Sequence, residues 1–287
     1  MKAWLKLLRP HQWVKSGFVF VGLLFGHAWH DAAVVQQVLL AAVAFSLAAS
    51  AVYVGNDIVD RERDRQHPDK RRRPLASGAI TPARAMAVGV SCVLAALGIS
   101  WLASPPAAAI IAAYLLLNVG YTLGLKHIVL LDVFIISAGF MLRILAGTLG
   151  VGIAPSHWLL LCGFMVTLFL GFAKRRAELK ALDGDASGHR QVLEDYDPVL
   201  LDKLIGVCAA ATIVTYSLYT VAADTAALHG TGRLFATVPF VVYGMFRYLF
   251  LLHRRDGGGD PAAELLSDRH LLLAVAGWLA TVLLVLS

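Results

Sequence analysis

The chain has 287 residues, of which 58% are hydrophobic and only 15% charged, against roughly a quarter charged in a typical soluble domain. With a mean hydropathy of +0.69, this composition excludes a soluble globular enzyme, and the net charge of +6 is not a nucleic-acid signature. Cys92, Cys162 and Cys208 fall in apolar stretches without paired spacing, so they read as small core residues and not as a disulfide or zinc site.

Apolar stretches near the ~20 residues that span a bilayer recur at 16–30, 34–54, 83–103, 106–124, 128–149, 157–173, 204–222, 234–252 and 270–286. They predict an all-α polytopic membrane protein of about nine transmembrane helices, forming a single domain over residues 1–287. The basic start resembles a signal peptide but no small-x-small cleavage site follows, so it reads as a retained first helix. With the N-terminus in the cytoplasm, every lysine and arginine except Arg143, Arg233 and Arg247 falls on the inner side. This asymmetry obeys the positive-inside rule and accounts for most of the net charge. The outer loops, His27 to Asp31, Ser104-Pro105-Pro106 and Gly150 to Ser156, are short, whereas the inner loops are long and polar. Function is therefore expected at the cytoplasmic face of the inner (plasma) membrane.

In chain order, the first chemical signal is the end of the second stretch. Ser46, Ser50, Tyr53, Asp57, Asp60 and Asp64 step by three or four residues and predict one polar helical face. Such a face must point into the bundle or a water-filled cavity, and a cavity is the favoured reading. Asp57, Asp60 and Asp64 would repel by about 3 kcal/mol per pair at ~5.5 Å and an effective dielectric of ~20, so a cation is required between them. Hard oxygen ligands followed by a basic loop suit Mg²⁺ bridging to a diphosphate. The plainer alternative is a solvated helix end in which Asp57 pairs with Arg61.

Next, Lys70-Arg71-Arg72-Arg73-Pro74-Leu75-Ala76-Ser77-Gly78 combines guanidinium groups suited to phosphate oxygens with a turn able to present backbone N–H groups. Thr81 before Pro82 reads as a helix N-cap. Tyr114, Asn118 and Tyr121 share a face at the inner end of the fourth stretch, and Lys126 follows; Asn118, Tyr121 and Lys126 read as site-lining. After the sixth stretch come Lys174, Arg175, Arg176 and Glu178, then an acidic loop with Asp183, Asp185, Glu194, Asp195 and Asp197. Lys174 and Glu178 have the spacing of a simple i, i+4 pair; functionally, Lys174 and Arg175 would hold a phosphate, with Glu178 ligating metal or positioning a hydroxyl. Arg143, deep in the fifth stretch, is costly there unless paired. Gly257-Gly258-Gly259 reads as a connector. Walker A, dinucleotide-glycine and H-E-x-x-H motifs are absent.

Asn56-Asp57-x-x-Asp60-x-x-x-Asp64 followed by Arg73-Pro74-Leu75-Ala76-Ser77-Gly78 resembles the UbiA superfamily of intramembrane prenyltransferases. The resemblance implies a nine-helix bundle around a central lipid-facing cavity, with Mg²⁺-diphosphate at its cytoplasmic end. Where ordinary members carry a second aspartate motif after the sixth helix, this chain has Lys174-Arg175-Arg176-Ala177-Glu178-Leu179. That departure, with Arg9-Pro10-His11-Gln12-Trp13-Val14-Lys15, His67-Pro68-Asp69-Lys70-Arg71 and Tyr121 to Lys126, resembles the superfamily's decaprenyl-phosphate phosphoribosyltransferase branch. The implied reaction joins 5-phosphoribosyl-1-diphosphate (PRPP) to a polyprenyl phosphate and releases diphosphate. Asp57, Asp60 and Asp64 would then hold Mg²⁺, Asn56, Asp57, Asp60 and Glu178 would be catalytic, and Lys15, Tyr53, Lys70, Arg71, Arg73, Asn118, Tyr121, Lys126, Lys174 and Arg175 would bind substrate. The partners are the two substrates and the bilayer, with no nucleic acid; a homo-oligomer is compatible with the sequence. Two alternatives stay open: transfer of a polyprenyl chain to an aromatic acceptor such as 4-hydroxybenzoate and, further off, a cation-coupled transporter, which would place ionisable groups near the bilayer midplane.

Overall fold

The long apolar stretches form helices whose ends are set by short polar residues and prolines. The computed structural model describes residues 2–68, 70–180, 191–193, 195–254 and 267–286; Asp69, Asp183, Asp185, Glu194 and the 257–259 glycine run lie outside them. Helices α1 (Lys2–Leu8), α2 (Val21–Phe25), α3 (Ala32–Val59), α4 (Arg61–Gln66), α5 (Pro82–Ala103), α6 (Pro105–Leu123) and α7 (Leu131–Ala146) belong to one compact unit, Met1–Pro155. Helices α8 (His157–Lys180), α9 (Pro198–Val221), α10 (Ala223–His229), α11 (Val238–Arg254) and α12 (Arg269–Leu286) belong to a second, Ser156–Ser287.

Starts follow the expected capping chemistry. Asp31 accepts from Ala33 N (2.9 Å) and Val34 N (3.3 Å) at the head of α3. Ser104 accepts from Ala107 N (3.0 Å) ahead of the prolines of α6, and Asp197 accepts from Val199 N (3.1 Å) ahead of Pro198. Thr81 has the extended conformation of a cap before Pro82, but its side chain makes no capping bond.

Eight helical stretches among the described residues are long and apolar enough to cross a membrane. The expected first span at 16–30 is not among them. Residues Pro10–Phe20 form a 3₁₀ helix that runs into the short α2. The physical reason is close backbone packing against the end of α7. A Cβ on Gly22 would lie 2.1 Å from the Gly147 carbonyl oxygen, and one on Gly147 would lie 1.7 Å from that of Val19. An uninterrupted α-helix with larger side chains does not allow this approach, and the segment instead lies along α3 and α7.

Within the second unit, several polar side chains among the apolar helices pair with one another. Tyr216 Oη accepts from Trp278 Nε1 (2.7 Å) and bonds Thr237 Oγ1 (2.7 Å), linking α9, α12 and the Arg233–Thr237 turn. Arg176 pairs with Asp202 and donates to Leu252 O (3.0 Å). Arg247 forks onto Asp268 at 2.7 and 3.1 Å, and this pairing holds the Asp268 carboxyl down to about 2.

The glycine contact makes a stability prediction. Gly147→Ala forces its methyl into a carbonyl and should destabilise the protein by ~2 kcal/mol or more, whereas Gly17→Ala, with nothing within 4 Å of the new methyl, should not. Thermal unfolding of the two variants in detergent checks this; equal midpoints would remove the proposed cause of the 3₁₀ segment.

Candidate active site

The polar stripe on α3 is present, but it faces the N-terminal segment and not an open cavity. Ser46 Oγ donates to Ser16 Oγ (2.9 Å). Ser50 Oγ accepts from Trp13 Nε1 (3.0 Å) and donates to Leu8 O (2.8 Å). Tyr53 Oη lies 3.5 Å from Gln12 Oε1, and its ring carries the Arg9 guanidinium 4.8 Å from the centroid. These side chains satisfy each other in an apolar setting, where unpaired polar groups are expensive.

At the C-terminal end of the stripe Asp57 is only 2% exposed. Its Oδ1 accepts from Arg9 (2.6 Å) and Arg73 (3.2 Å), and Arg73 Nη1 also reaches Asp64 Oδ2 at 2.7 Å. The cations between the carboxylates are thus guanidinium groups, and Arg61, the alternative partner, donates instead to Leu75 O (3.3 Å). Arg9 has left-handed backbone angles, φ 50 and ψ 56, a conformation that costs a non-glycine residue ~1–3 kcal/mol unless its surroundings enforce it. Here the ion pair and the stacking on Tyr53 enforce it.

The three aspartates do not converge on one point. On an ideal helix Asp64 lies ~20° from Asp57, but Asp60 lies ~60° away, and α3 gives way to α4 at Asp60. Asp60 turns to Lys126 Nζ at 3.1 Å. Among the described residues no group of three His, Cys, Asp or Glu side chains forms a metal cage. A cage is not what Mg²⁺ needs, because it keeps waters and takes one or two carboxylates plus substrate phosphates. Asp57 Oδ2 fits that role: it is buried and has no hydrogen-bond partner among the described residues, while Oδ1 is fixed by two arginines.

The turn after the arginines differs from expectation. Ser77 N donates to Arg73 O (2.9 Å) and Gly78 N to Leu75 O (3.3 Å), so these N–H groups are used internally. Gly78 takes φ 79, which suits glycine. The turn offers carbonyls instead: Leu75 O to Arg61 and Ala76 O to Arg65 Nε (3.2 Å). Lys70 is half-buried and Arg71 exposed.

Asn56 faces a different way from Asp57. Its Oδ1 accepts from Thr122 Oγ1 at 2.5 Å, and with Asn118 it lines a groove between α3, α5 and α6. Asn118 Nδ2 donates to Tyr114 O (2.8 Å). Lys15 and Tyr121 are half-buried on the same unit. On α8, Lys174 is half-buried, while Arg175 is 1% exposed and bonds Glu178. Glu178 thus pairs with Arg175, a partner that the i, i+4 spacing does not indicate. Arg143 resolves without a carboxylate among the described residues: it donates to Gly139 O (2.8 Å) and Tyr114 Oη (3.2 Å), with the Phe45, Tyr114 and Phe140 rings 4.9–5.3 Å away. Aromatic faces supply the partner.

Sequence reasoning missed Arg9 as a site residue, although it begins the Arg-Pro-His-Gln-Trp-Val-Lys run, and it missed Thr122. An arginine beside an apolar helix start is indistinguishable from a topological charge until its partner, 48 residues away, is known.

With this geometry in hand, comparison with known proteins is informative. The sequence pattern of the UbiA prenyltransferase family matches residues 16–268. A decaprenyl-phosphate phosphoribosyltransferase of Mycobacterium tuberculosis is 34% identical over 283 residues, covering 96% of this chain and 92% of that protein. The nodulation protein NoeC of Azorhizobium caulinodans is 32% identical over 282 residues, covering 94% and 88%. In architecture the chain matches a UbiA homolog from Archaeoglobus fulgidus, solved with GPP and Mg²⁺, with a TM-score of 0.75 over 99% of both chains at 17% identity. The fold is thus UbiA-like, and this multi-pass membrane protein belongs to the UbiA prenyltransferase family.

Proposed function

We propose that the protein transfers the 5-phosphoribosyl group of phosphoribosyl diphosphate to a polyprenyl phosphate, releasing diphosphate, at the cytoplasmic face of the inner membrane. Residues 1–287 act as one transferase in this reading. The observation that carries it is the Asp57 carboxylate, buried, clamped at Oδ1 by two arginines and open at Oδ2. The decaprenyl-phosphate phosphoribosyltransferase relative, similar over nearly the whole chain, supports the choice of substrates.

In the reaction, the bond from the anomeric carbon to the diphosphate oxygen breaks with its electron pair leaving on diphosphate. A phosphate oxygen of the lipid forms the new bond to that carbon. The lipid phosphate is already an anion, so no strong base is required, and positioning with charge neutralisation does most of the work. Mg²⁺ held through Asp57 and Asp60 would neutralise the leaving diphosphate, with Asp64 in support through Arg73.

Around it, Arg73 orients Asp57 and Asp64 together and offers its guanidinium to phosphate oxygens. Lys126, which uses one proton on Asp60, has others for the sugar 5-phosphate. Taken by itself, α8 would offer Lys174 to the same class of ligand, while Glu178 fixes the buried Arg175 guanidinium. Lys15, Lys70 and Arg71 add positive potential for a highly anionic donor, while Asn56, Asn118, Tyr53 and Tyr121 shape the surroundings.

Purified protein given labelled phosphoribosyl diphosphate, polyprenyl phosphate and Mg²⁺ should form a labelled lipid. Asp57→Asn should abolish it while still inserting and purifying, and Asp64→Asn should be milder. Prenylation of 4-hydroxybenzoate from a prenyl diphosphate, with no ribosyl transfer, would replace this reading with aromatic prenyl transfer.

Lys126 makes a separable prediction. Its pair with the one-third-exposed Asp60 is worth at most ~1 kcal/mol of stability, so Lys126→Ala should melt almost as wild type. Loss of a charge-assisted phosphate contact of ~1.5–3 kcal/mol should raise the half-saturating donor concentration roughly 10- to 150-fold. The increase should shrink with a donor analogue lacking the 5-phosphate; unchanged donor dependence would assign Lys126 to topology alone.

A further inference from the structure

The groove between α3, α5 and α6 has a volume of about 460 Å³ and is almost wholly apolar. It is carved by missing side chains. A Cβ on Gly55 would meet nothing within 4 Å, whereas one on Gly89 opposite would lie 3.2 Å from Val54 Cγ1. Along α3 it extends from Ala51 to Val59, about 12 Å at the helical rise, and its outer walls are exposed Met86, Val90 and Val119. One end alone is polar. There Asn56, Thr122 and Asn118 line it, Asn56 Nδ2 donates to nothing among the described residues, and the Asp60–Lys126 pair begins one residue beyond Val59 on one side and three beyond Leu123 on the other.

An apolar trough open to the bilayer, with an amide donor and a lysine at its polar end, is the shape of a single hydrocarbon chain bearing one phosphate. We propose that this groove holds the phosphate-proximal isoprene units of the polyprenyl phosphate acceptor, with Asn56 at its phosphate and Lys126 beyond it on the donor side. A two-chain phospholipid fits less well, since the trough is a single channel and its mouth adjoins the residues assigned to the reaction. The inference rests on the proposed transfer reaction for the identity of the lipid, and on the groove alone for its place.

Gly55→Leu places a bulky side chain in the trough from a position whose Cβ meets nothing within 4 Å, and Gly55→Ala leaves most of it open. In the labelled assay, Gly55→Leu should raise the half-saturating polyprenyl phosphate concentration about tenfold or more, as expected for displaced chain contacts, with donor dependence unchanged and Gly55→Ala near wild type. A polyprenyl phosphate carrying a photoreactive group on its first isoprene units should label Val90 or Val119 in wild type, with Gly55→Leu abolishing that labelling. Excess unlabelled polyprenyl phosphate should compete, and excess phosphatidylglycerol should not. Labelling confined to other helices, labelling displaced equally by phosphatidylglycerol, or an unchanged lipid dependence in Gly55→Leu would overturn the proposal. Because photolabelling needs no turnover, a wild-type protein that labels in the groove yet transfers no ribosyl group would refute the reaction and leave the chain site standing.

Discussion

One buried carboxylate organises the first unit around the C-terminal end of α3. Asp57 sits where α3 leaves its apolar stretch, and it draws in Arg9 from one side of the sequence and Arg73 from the other. Taking such a charge out of water costs several kcal/mol, which a single partner need not repay. Two guanidinium groups, the stacking on Tyr53 and the link from Arg73 to Asp64 supply the compensation. The consequence is geometric. The N-terminal segment, the end of α3 and the turn after Arg73 must sit together for the carboxylate to be tolerated, and one buried oxygen of Asp57 is left without a hydrogen-bond partner among the described residues.

The rest of the unit follows the same logic of satisfying polar groups without water. The stripe from Ser46 to Tyr53 is paired off against residues 8–16, which the backbone contact of Gly22 with Gly147 holds close to α7. Arg143 shows a second solution to a buried charge: aromatic faces from α3, α6 and its own helix, with a tyrosine hydroxyl and a backbone carbonyl. That environment disperses a cation without supplying an anion, so the arginine acts as a tie between three helices.

Much of this was legible before any coordinates. Long apolar runs predicted α3, α5, α6 and α9, because hydropathy is local, and Thr81 before Pro82 marked the start of α5, although its side chain makes no capping bond. The first run, 16–30, misled because hydropathy does not register a backbone approach between glycines distant in sequence. The aspartate spacing picked out the carboxylates at the end of α3, but periodicity treats Asp57, Asp60 and Asp64 alike, whereas Asp60 turns to Lys126 and the other two to Arg73. Arg9 and Arg73 as partners of Asp57, and Asn56 as part of a groove, depend on tertiary contacts that no single helix encodes. The residues of α8 behaved similarly: Arg175, read as a phosphate ligand, is almost fully buried against Glu178, a pairing that sequence could equally have assigned to Lys174.

The central claim is that Asp57 presents one open oxygen to a divalent metal that carries the diphosphate. The most direct measurement substitutes Mn²⁺ for Mg²⁺ and reads its hyperfine coupling to ³¹P by pulsed electron paramagnetic resonance on adding phosphoribosyl diphosphate. The account predicts strong phosphorus coupling to protein-bound Mn²⁺ in the wild type and its loss in Asp57→Asn, with the coupling retained in Asp64→Asn. Mn²⁺ that binds Asp57→Asn with unchanged affinity and the same phosphorus coupling would contradict it.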